Sequence, residues 1–336
     1  MIIRTSARSV SCLLCQWRTF STSYRRLADK APAPLPNPSS ALAPSPGQPP
    51  NATPKVPEGP LAHAPRAYGK KLEEFTPTPL SRPIGMNYPP QAGENTGVDS
   101  RSLQQRRDDF VNYDKHLVRR EQLKSKMSRP YFRDWRNMKF QRGKTFLAPP
   151  RLFKADLSLY FPNFHGKTLA KGSEGKAADT TPLLQGRASV VTVFSSMWAQ
   201  KQAESFTSQE SNPALHEILN ANRGRAQLVQ VNVEEDALKA LMITLFSGSL
   251  RRKVGEENWS KYFIVRKGIT DEIRESIGLL NSKVGYTYLV DHNCRIRWAG
   301  SGDANAGEIY GLHRGVVRIL DEMQEQNVGE HYVLKR

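Results

Sequence analysis

The chain has 336 residues, with 49 Lys and Arg against 32 Asp and Glu and a formal net charge of +17. Its 3 cysteines are too few for a disulfide-stapled or cysteine-rich metal scaffold, and its 23 prolines mark a sizeable non-globular part. No stretch approaches the roughly 18 uninterrupted apolar residues of a membrane-spanning helix, which excludes a chain threaded through a bilayer by such helices.

The first thirty residues carry arginine at 4, 8, 18, 25 and 26, many Ser and Thr, and no acid before Asp29. That is the composition of a mitochondrial transit peptide, expected over residues 1–28, and it points to the matrix. Arg18 to Ser21 resembles a processing site with arginine three residues before the cut, so the mature chain is expected to begin near Ser21. Cys12 and Cys15 have a metal- or dithiol-like spacing, but they lie inside this leader and are expected to leave with it. Cys294 then remains alone, and neither a disulfide nor a thiolate metal cluster is available within one mature chain.

Of the 23 prolines, 17 fall between residues 31 and 90. That segment has almost no apolar periodicity, and residues 29–97 are expected to be a disordered linker. Residues 98–128 follow as a basic helix: Asp99 to Met127 lacks Gly and Pro, Asp99 is a candidate N-cap, and Pro130 lies just past the end. Leu103, Phe110, Tyr113 and Leu117 form one narrow stripe, which suits a helix lying on something better than one buried in a core.

In the arm over 129–156, Tyr131, Phe132, Trp135, Phe140 and Phe146 alternate with Arg133, Arg136, Lys139, Arg142 and Lys144. From Val98 to Ala155 there are 16 Lys and Arg against 6 Asp and Glu, a local excess of 16 − 6 = +10. Such a segment suits nucleic acid, an anionic membrane face or an acidic protein surface. No RRM-type glycine-aromatic signature accompanies it, and aromatics docked on their own domain are the plainer alternative.

A globular domain is expected over 157–328. Short β-branched and aromatic runs at 187–194, 226–233, 285–290 and 294–300 alternate with helical periodicity at 212–222, 234–246, 269–281 and 307–326. The last two strands are separated only by Asp291–Asn293, a hairpin turn. This is the α/β order of a thioredoxin-like three-layer sandwich: β-α-β, a crossover, a β-hairpin and a closing helix.

In that register "VVTVFSSMWAQKQ" (190–202) puts Ala199 and Gln202 where a redox-active member has its two cysteines, and Gly285 where it has a proline. A thioredoxin dithiol needs a thiolate at a helix N-terminus, which neither alanine nor glutamine supplies. Other chemistries are weaker. Ser195 and Ser196 lack the G-x-S-x-G context of a nucleophile elbow. Gly300–Gly302 does not continue as a phosphate-binding G-x-G-x-x-G. Asp291–Cys294 is explained by turn geometry, and His165 and His216 are isolated. No catalytic residue, metal or cofactor is assigned.

"FRDWRNMKFQRGKTFLAPP", "YFPNFHGKTL", "VVTVFSSMWAQKQ", "NVEEDALKAL", "SLRRKV" and "IRESIGLLNSKVGYTYLVDHNCRIRWAGSG" together resemble a family of fungal mitochondrial ATP synthase assembly factors. The resemblance covers roughly Arg129 to Gln324. It implies a non-enzymatic chaperone, peripheral on the matrix side of the inner membrane, that helps subunit 6, the proton-channel subunit, assemble with the rotor ring. Partner contacts are then expected at Trp135, Arg136, Lys139 and Phe140 in the arm, at Trp198, Gln200 and Gln202 beside the former active site, and at Arg251 and Arg252. Two rival classes stay open: a nucleic-acid-binding protein of the mitochondrial translation or RNA machinery, and a thiol enzyme using Cys294.

Overall fold

The computed structural model describes residues 59–333 apart from 69–70, 100, 128–129, 131, 173–175, 235, 237–241 and 244–245. The expected transit peptide, the start of the proline-rich segment and most of the helix expected over 234–246 lie outside the described residues. The elements in chain order are α1 (Leu103–Val111), α2 (Tyr113–Met127), α3 (Arg133–Asn137), β1 (His165–Thr168), β2 (Ala177–Asp179), α4 (Thr181–Leu184), β3 (Ala188–Phe194), α5 (Met197–Thr207), α6 (Pro213–Ala221), β4 (Ala226–Val233), α7 (Ser247–Val254), β5 (Tyr262–Val265), α8 (Asp271–Ser276), β6 (Tyr286–Val290), β7 (Ile296–Ser301) and α9 (Ala306–Val333).

The strands form one sheet in the order β2-β1-β5-β4-β3-β6-β7. β3, β4 and β5 are parallel neighbours, and β6 and β7 return antiparallel beside β3. This is the thioredoxin-like arrangement, extended on the β5 side by the antiparallel pair β1 and β2. Every residue of β3 is buried, as expected of a central strand covered on both faces. Alternation sorts its side chains. Val190 packs with Leu215, Leu289, Trp298, Leu312 and Val316, under α6 and α9. Val191 and Val193 pack on the other face with Phe146, Phe161, Phe164, Tyr286 and Tyr288.

That second face is closed by residues the sequence suggested were linker. Leu61, Leu80, Ile84 and Met86 are buried in the same core cluster as Val191. At Gly278 the left-handed backbone (φ +76°) favours glycine, and a Cβ there would stand 2.8 Å from the end of the Leu61 side chain. The segment from Leu61 to Met86 is therefore part of the domain. It carries little periodicity because it crosses the sheet as irregular backbone, held at points by bonds such as Leu80 N to the Leu147 carbonyl at 3.1 Å.

The basic helix is two helices. Its N-cap is Ser102, in a reciprocal capping box with Gln105, while Asp99 instead pairs with Arg101. A break at Asn112 separates α1 from α2. Leu103, Phe110, Tyr113 and Leu117 are all exposed, and the break divides the expected single stripe between the two helices. Among the described residues no helix is long and apolar enough to cross a membrane.

Candidate functional site around the start of helix α5

The β3–α5 junction begins with Ser195 and Ser196. Ser196 is the N-cap of α5, its hydroxyl accepting the Ala199 N–H at 3.2 Å. The helix thus starts at Met197, two residues before the expected first-cysteine position at Ala199, and the side chain that caps its N-terminus belongs to Ser196. Ala199 and Gln202 face inward, 0% and 1% exposed. The capping serine and the apolar partners of Ala199 and Ala203, among them Phe194 and Tyr262, set this register. No thiol stands at this helix start, and its surface is made by Met197 (79% exposed) and Trp198 (48%).

Gly285 lies directly against the helix: a Cβ there would be 2.1 Å from the Ala199 carbonyl oxygen. Its N–H donates to Gln202 Oε1 at 3.1 Å, and Gln202 Nε2 donates to the Arg142 carbonyl at 2.9 Å. Arg142 belongs to a left-handed turn in which Gln141 (φ 43°), Arg142 (φ 55°) and Gly143 (φ 86°) follow one another. Two non-glycine residues in that region are strained and persist because neighbours hold them. Here the neighbours are Gln202 and the buried Lys144, which donates to Glu308 Oε2 at 2.7 Å and to the Asp303 carbonyl at 2.6 Å.

A second latch lies beside the first. Ser195 Oγ donates to the Ser282 carbonyl. Ser282 donates from Oγ and N to Asp134 Oδ2 at 2.6 and 3.1 Å, and Asn281 Nδ2 donates to the Asp134 carbonyl at 3.0 Å. Helix α3 is thereby tied through the 281–283 loop to the start of α5. Of the aromatics on this strap, Phe132 and Trp135 stay exposed, and the Lys283 ammonium lies 5.7 Å from the Trp135 ring centroid. Phe132, Trp135, Met197 and Trp198 thus stand on elements locked together by these bonds, with cations among them.

The expected contact residues divide. Trp135 and Trp198 are at the surface on linked elements, and Arg136 is exposed. Lys139 is exposed, with its ammonium donating to the Glu73 carbonyl at 3.1 Å and lying 4.7 Å from the Phe140 ring centroid. Phe140 corrects the sequence reading: it is buried, edge-on to Phe75 with ring centroids 6.1 Å apart, and it packs the strap against the domain. Gln202 corrects it likewise, since both ends of its amide are used internally. Gln200 is half-buried and donates to Glu204 at 2.8 Å. Arg251 and Arg252 sit apart on α7, where Arg251 Nε donates to the Leu169 carbonyl at 2.8 Å while Arg252 is exposed. Sequence reasoning missed Met197, Phe132 and the Asp134–Ser282 latch. The Ser196 cap was the available signal for Met197; nothing local signals a latch between distant segments.

Cys294 is 1% exposed and sits in the hairpin turn at φ 62°. Burial, then the charge of Asp291, pushes its thiol up to about 12, the opposite of a reactive cysteine. Asp291 Oδ1 is occupied by the N–H groups of Asn293 and Arg295, both at 2.9 Å, so it serves the turn. Among the described residues no three His, Cys, Asp or Glu side chains come together as a metal site.

A sequence profile described as ATP10 protein matches residues 66–319. The chain belongs to the ATP10 protein family. It is 31% identical over 243 residues to "Mitochondrial ATPase complex subunit ATP10" of Eremothecium gossypii, an alignment covering 71% of this chain and 85% of that one. The protein of the same name from Saccharomyces cerevisiae is 26% identical over 258 residues, covering 74% and 88%. Among solved structures, a secreted thiol-disulfide isomerase from Corynebacterium glutamicum overlaps at 10% identity and TM-score 0.35, covering 53% of this chain and 99% of that one. An exposed lipoprotein thioredoxin from Streptococcus pneumoniae overlaps at 11% and 0.29, covering 45% and 98%. Such scores carry no weight alone, and the ATP10 fold rests on its strand order. The ATP10 match begins at Arg66, inside the segment that closes the second face of the sheet.

Proposed function

We propose that this ATP10 chain is an assembly factor for the mitochondrial ATP synthase, acting on the matrix side of the inner membrane by holding newly made subunit 6 until it joins the rotor ring. Membership of a family whose relatives are named as mitochondrial ATPase complex subunits supports the complex. The Arg-rich, acid-free N-terminus supports the compartment. The observation that carries a binding role over a thiol one is the start of α5. There Ser196, Met197, Trp198 and Ala199 stand in place of a dithiol, and exposed aromatics on the latched strap stand on linked elements. Apolar and aromatic side chains rimmed by cations suit an apolar polypeptide client.

The test is crosslinking of newly made mitochondrial translation products to wild-type protein and to the Trp135→Ala/Trp198→Ala variant, with the ATP synthase followed on native gels. Subunit 6 should crosslink to the wild type, and in the variant it should be made normally but degraded unassembled while the catalytic sector still forms. Loss of subunit 6 synthesis, or salt-sensitive capture of RNA in place of a translation product, would overturn this reading and favour a nucleic-acid role for the basic segment.

A further inference from the structure

The helix pair α1–α2 carries exposed apolar side chains that neither the core nor the α5 surface uses. No side chain of α1 is buried, and among the described residues none of the core clusters includes a residue of α1 or α2. Leu103, Phe110, Tyr113 and Leu117 are between 42% and 83% exposed. Leu103 and Phe110 are seven apart on α1 and Tyr113 and Leu117 four apart on α2, so each helix carries a short apolar stripe of its own. With Val111, Val118 and Leu123 also exposed, apolar side chains concentrate on this pair, and such a concentration marks a contact surface where single exposed residues would not.

The charges around the stripe say what kind of contact. From Lys115 to Met127 the sequence has five Lys and Arg and one acid, Glu121. Of the acids earlier in the pair, Asp99 pairs with Arg101 and Arg106 and Asp109 with Arg101 and Lys115, while Asp108 and Asp114 lie before this cationic end. Arg107, Arg119, Arg120 and Lys124 have no acid partner among the described residues. Long cationic side chains beside exposed apolar ones can extend sideways into a headgroup layer while the apolar ones enter the acyl boundary. The break at Asn112 (φ −68°, ψ 117°) lets two short helices lie separately along a plane.

We propose that α1–α2 is a lipid-surface anchor that lies in the headgroup layer of an anionic bilayer, with the exposed apolar side chains of both helices inward and its cations on lipid phosphates. The proposal rests on the assembly reading only for which membrane is met. It moves the membrane contact away from the 129–156 arm, whose Phe140 and Lys144 are committed to the domain.

The experiment uses the protein isolated from mitochondria and vesicles of phosphatidylcholine with or without cardiolipin. Wild type should float with the cardiolipin vesicles, weakly with phosphatidylcholine alone, and less as salt rises. At the usual contribution of a cation near an anionic surface, Arg119→Gln/Arg120→Gln should lower the partition coefficient by about 25-fold. Phe110→Ser/Leu117→Ser should also release the protein, and Trp135→Ala should not. All of these side chains are exposed, so thermal unfolding should be unchanged.

Absence of wild-type binding to cardiolipin vesicles, or equal binding by both α1–α2 variants, overturns the anchor. So does unchanged vesicle binding with loss of a co-purifying protein, which would make the pair a protein dock. Loss of vesicle binding in the variants with normal subunit 6 assembly keeps the anchor and counts against the need for it in assembly. Failed assembly in Trp135→Ala/Trp198→Ala with α1–α2 variants still bound to vesicles keeps the assembly reading and removes the anchor.

Discussion

The side-chain oxygen of Gln202 accepts the backbone N–H of Gly285 at 3.1 Å, closing helix α5 onto the loop that enters β6. The same amide donates to the Arg142 carbonyl at 2.9 Å. One buried side chain thus satisfies two backbone groups from two other segments. Removing it leaves both without a partner, and each unsatisfied buried group costs about 1–3 kcal/mol. Gln202→Ala should therefore lower the unfolding free energy by roughly 2–4 kcal/mol, read from the urea midpoint at unchanged m. Gln202→Glu, which can accept but not donate, should also be destabilising. A midpoint shift near zero for both would show that the clamp contributes nothing.

Lys144 and Glu308 form a buried pair, 7% and 5% exposed at the side chain. Glu308 also accepts the Ala148 N–H at 2.8 Å and the Asn305 N–H at 3.0 Å. Removing one partner of a buried pair leaves an uncompensated charge and costs about 3–5 kcal/mol. Lys144→Met should show a loss of that size in chemical denaturation, with added release of the strained 141–143 turn. A loss below about 1 kcal/mol would place the pair among ordinary surface ion pairs.

Cys294 should be inert in the folded protein. With Cys12 and Cys15 changed to serine, a maleimide at pH 8 should modify no thiol until denaturant is added, and then one. Cys294→Ser should leave ATP synthase assembly intact. Rapid native labelling would mean that the hairpin opens readily, and an assembly defect at normal protein level would restore the thiol-enzyme reading.

Asp179 predicts the acid limb of stability. Burial alone would raise its pKa. Hydrogen bonds from Asn163 and Gly93 and a contact with His165, at 2.8 to 2.9 Å, outweigh that and hold it below the usual carboxylate range. A depressed folded pKa gives stability that is fully present above the unfolded pKa and is lost as pH falls through the folded one. The contribution should therefore be intact at neutral pH and fade below about pH 4. In Asp179→Asn the melting temperature should be lower at neutral pH and should depend less on pH in that window. A parallel acid limb in variant and wild type would assign the dependence to other carboxylates.

Strands β3, β4, β6 and β7 were legible because they are rich in β-branched and aromatic residues, in runs in β3 and β6 and alternating with polar residues in β4. β1 and β2 were not: His165–Thr168 and Ala177–Asp179 carry no strand signal and are strands only because β5 supplies an edge to pair with. Leu61, Leu80 and Ile84 could not be read as core because each stands alone among polar residues and prolines. Their burial is decided by the sheet face they meet. At the site, Trp135 and Trp198 could be picked out as aromatics among cations. The inward turn of Phe140 and Gln202 could not, because it depends on where α5 begins and on a left-handed turn that nothing at Gln141 and Arg142 announces.

The approach of Leu61 to Gly278 also shapes how the chain reaches this structure. A polypeptide delivered from its N-terminus presents Leu61, Leu80 and Ile84 first, yet the groups that cover them, around Ile277 and in β6, arrive late. Contacts so distant along the chain carry a large loop-closure cost before any burial offsets it, which makes for slow folding with apolar surface uncovered in the meantime. Until those late segments arrive, Leu61, Leu80 and Ile84 are apolar surface that other chains can bind.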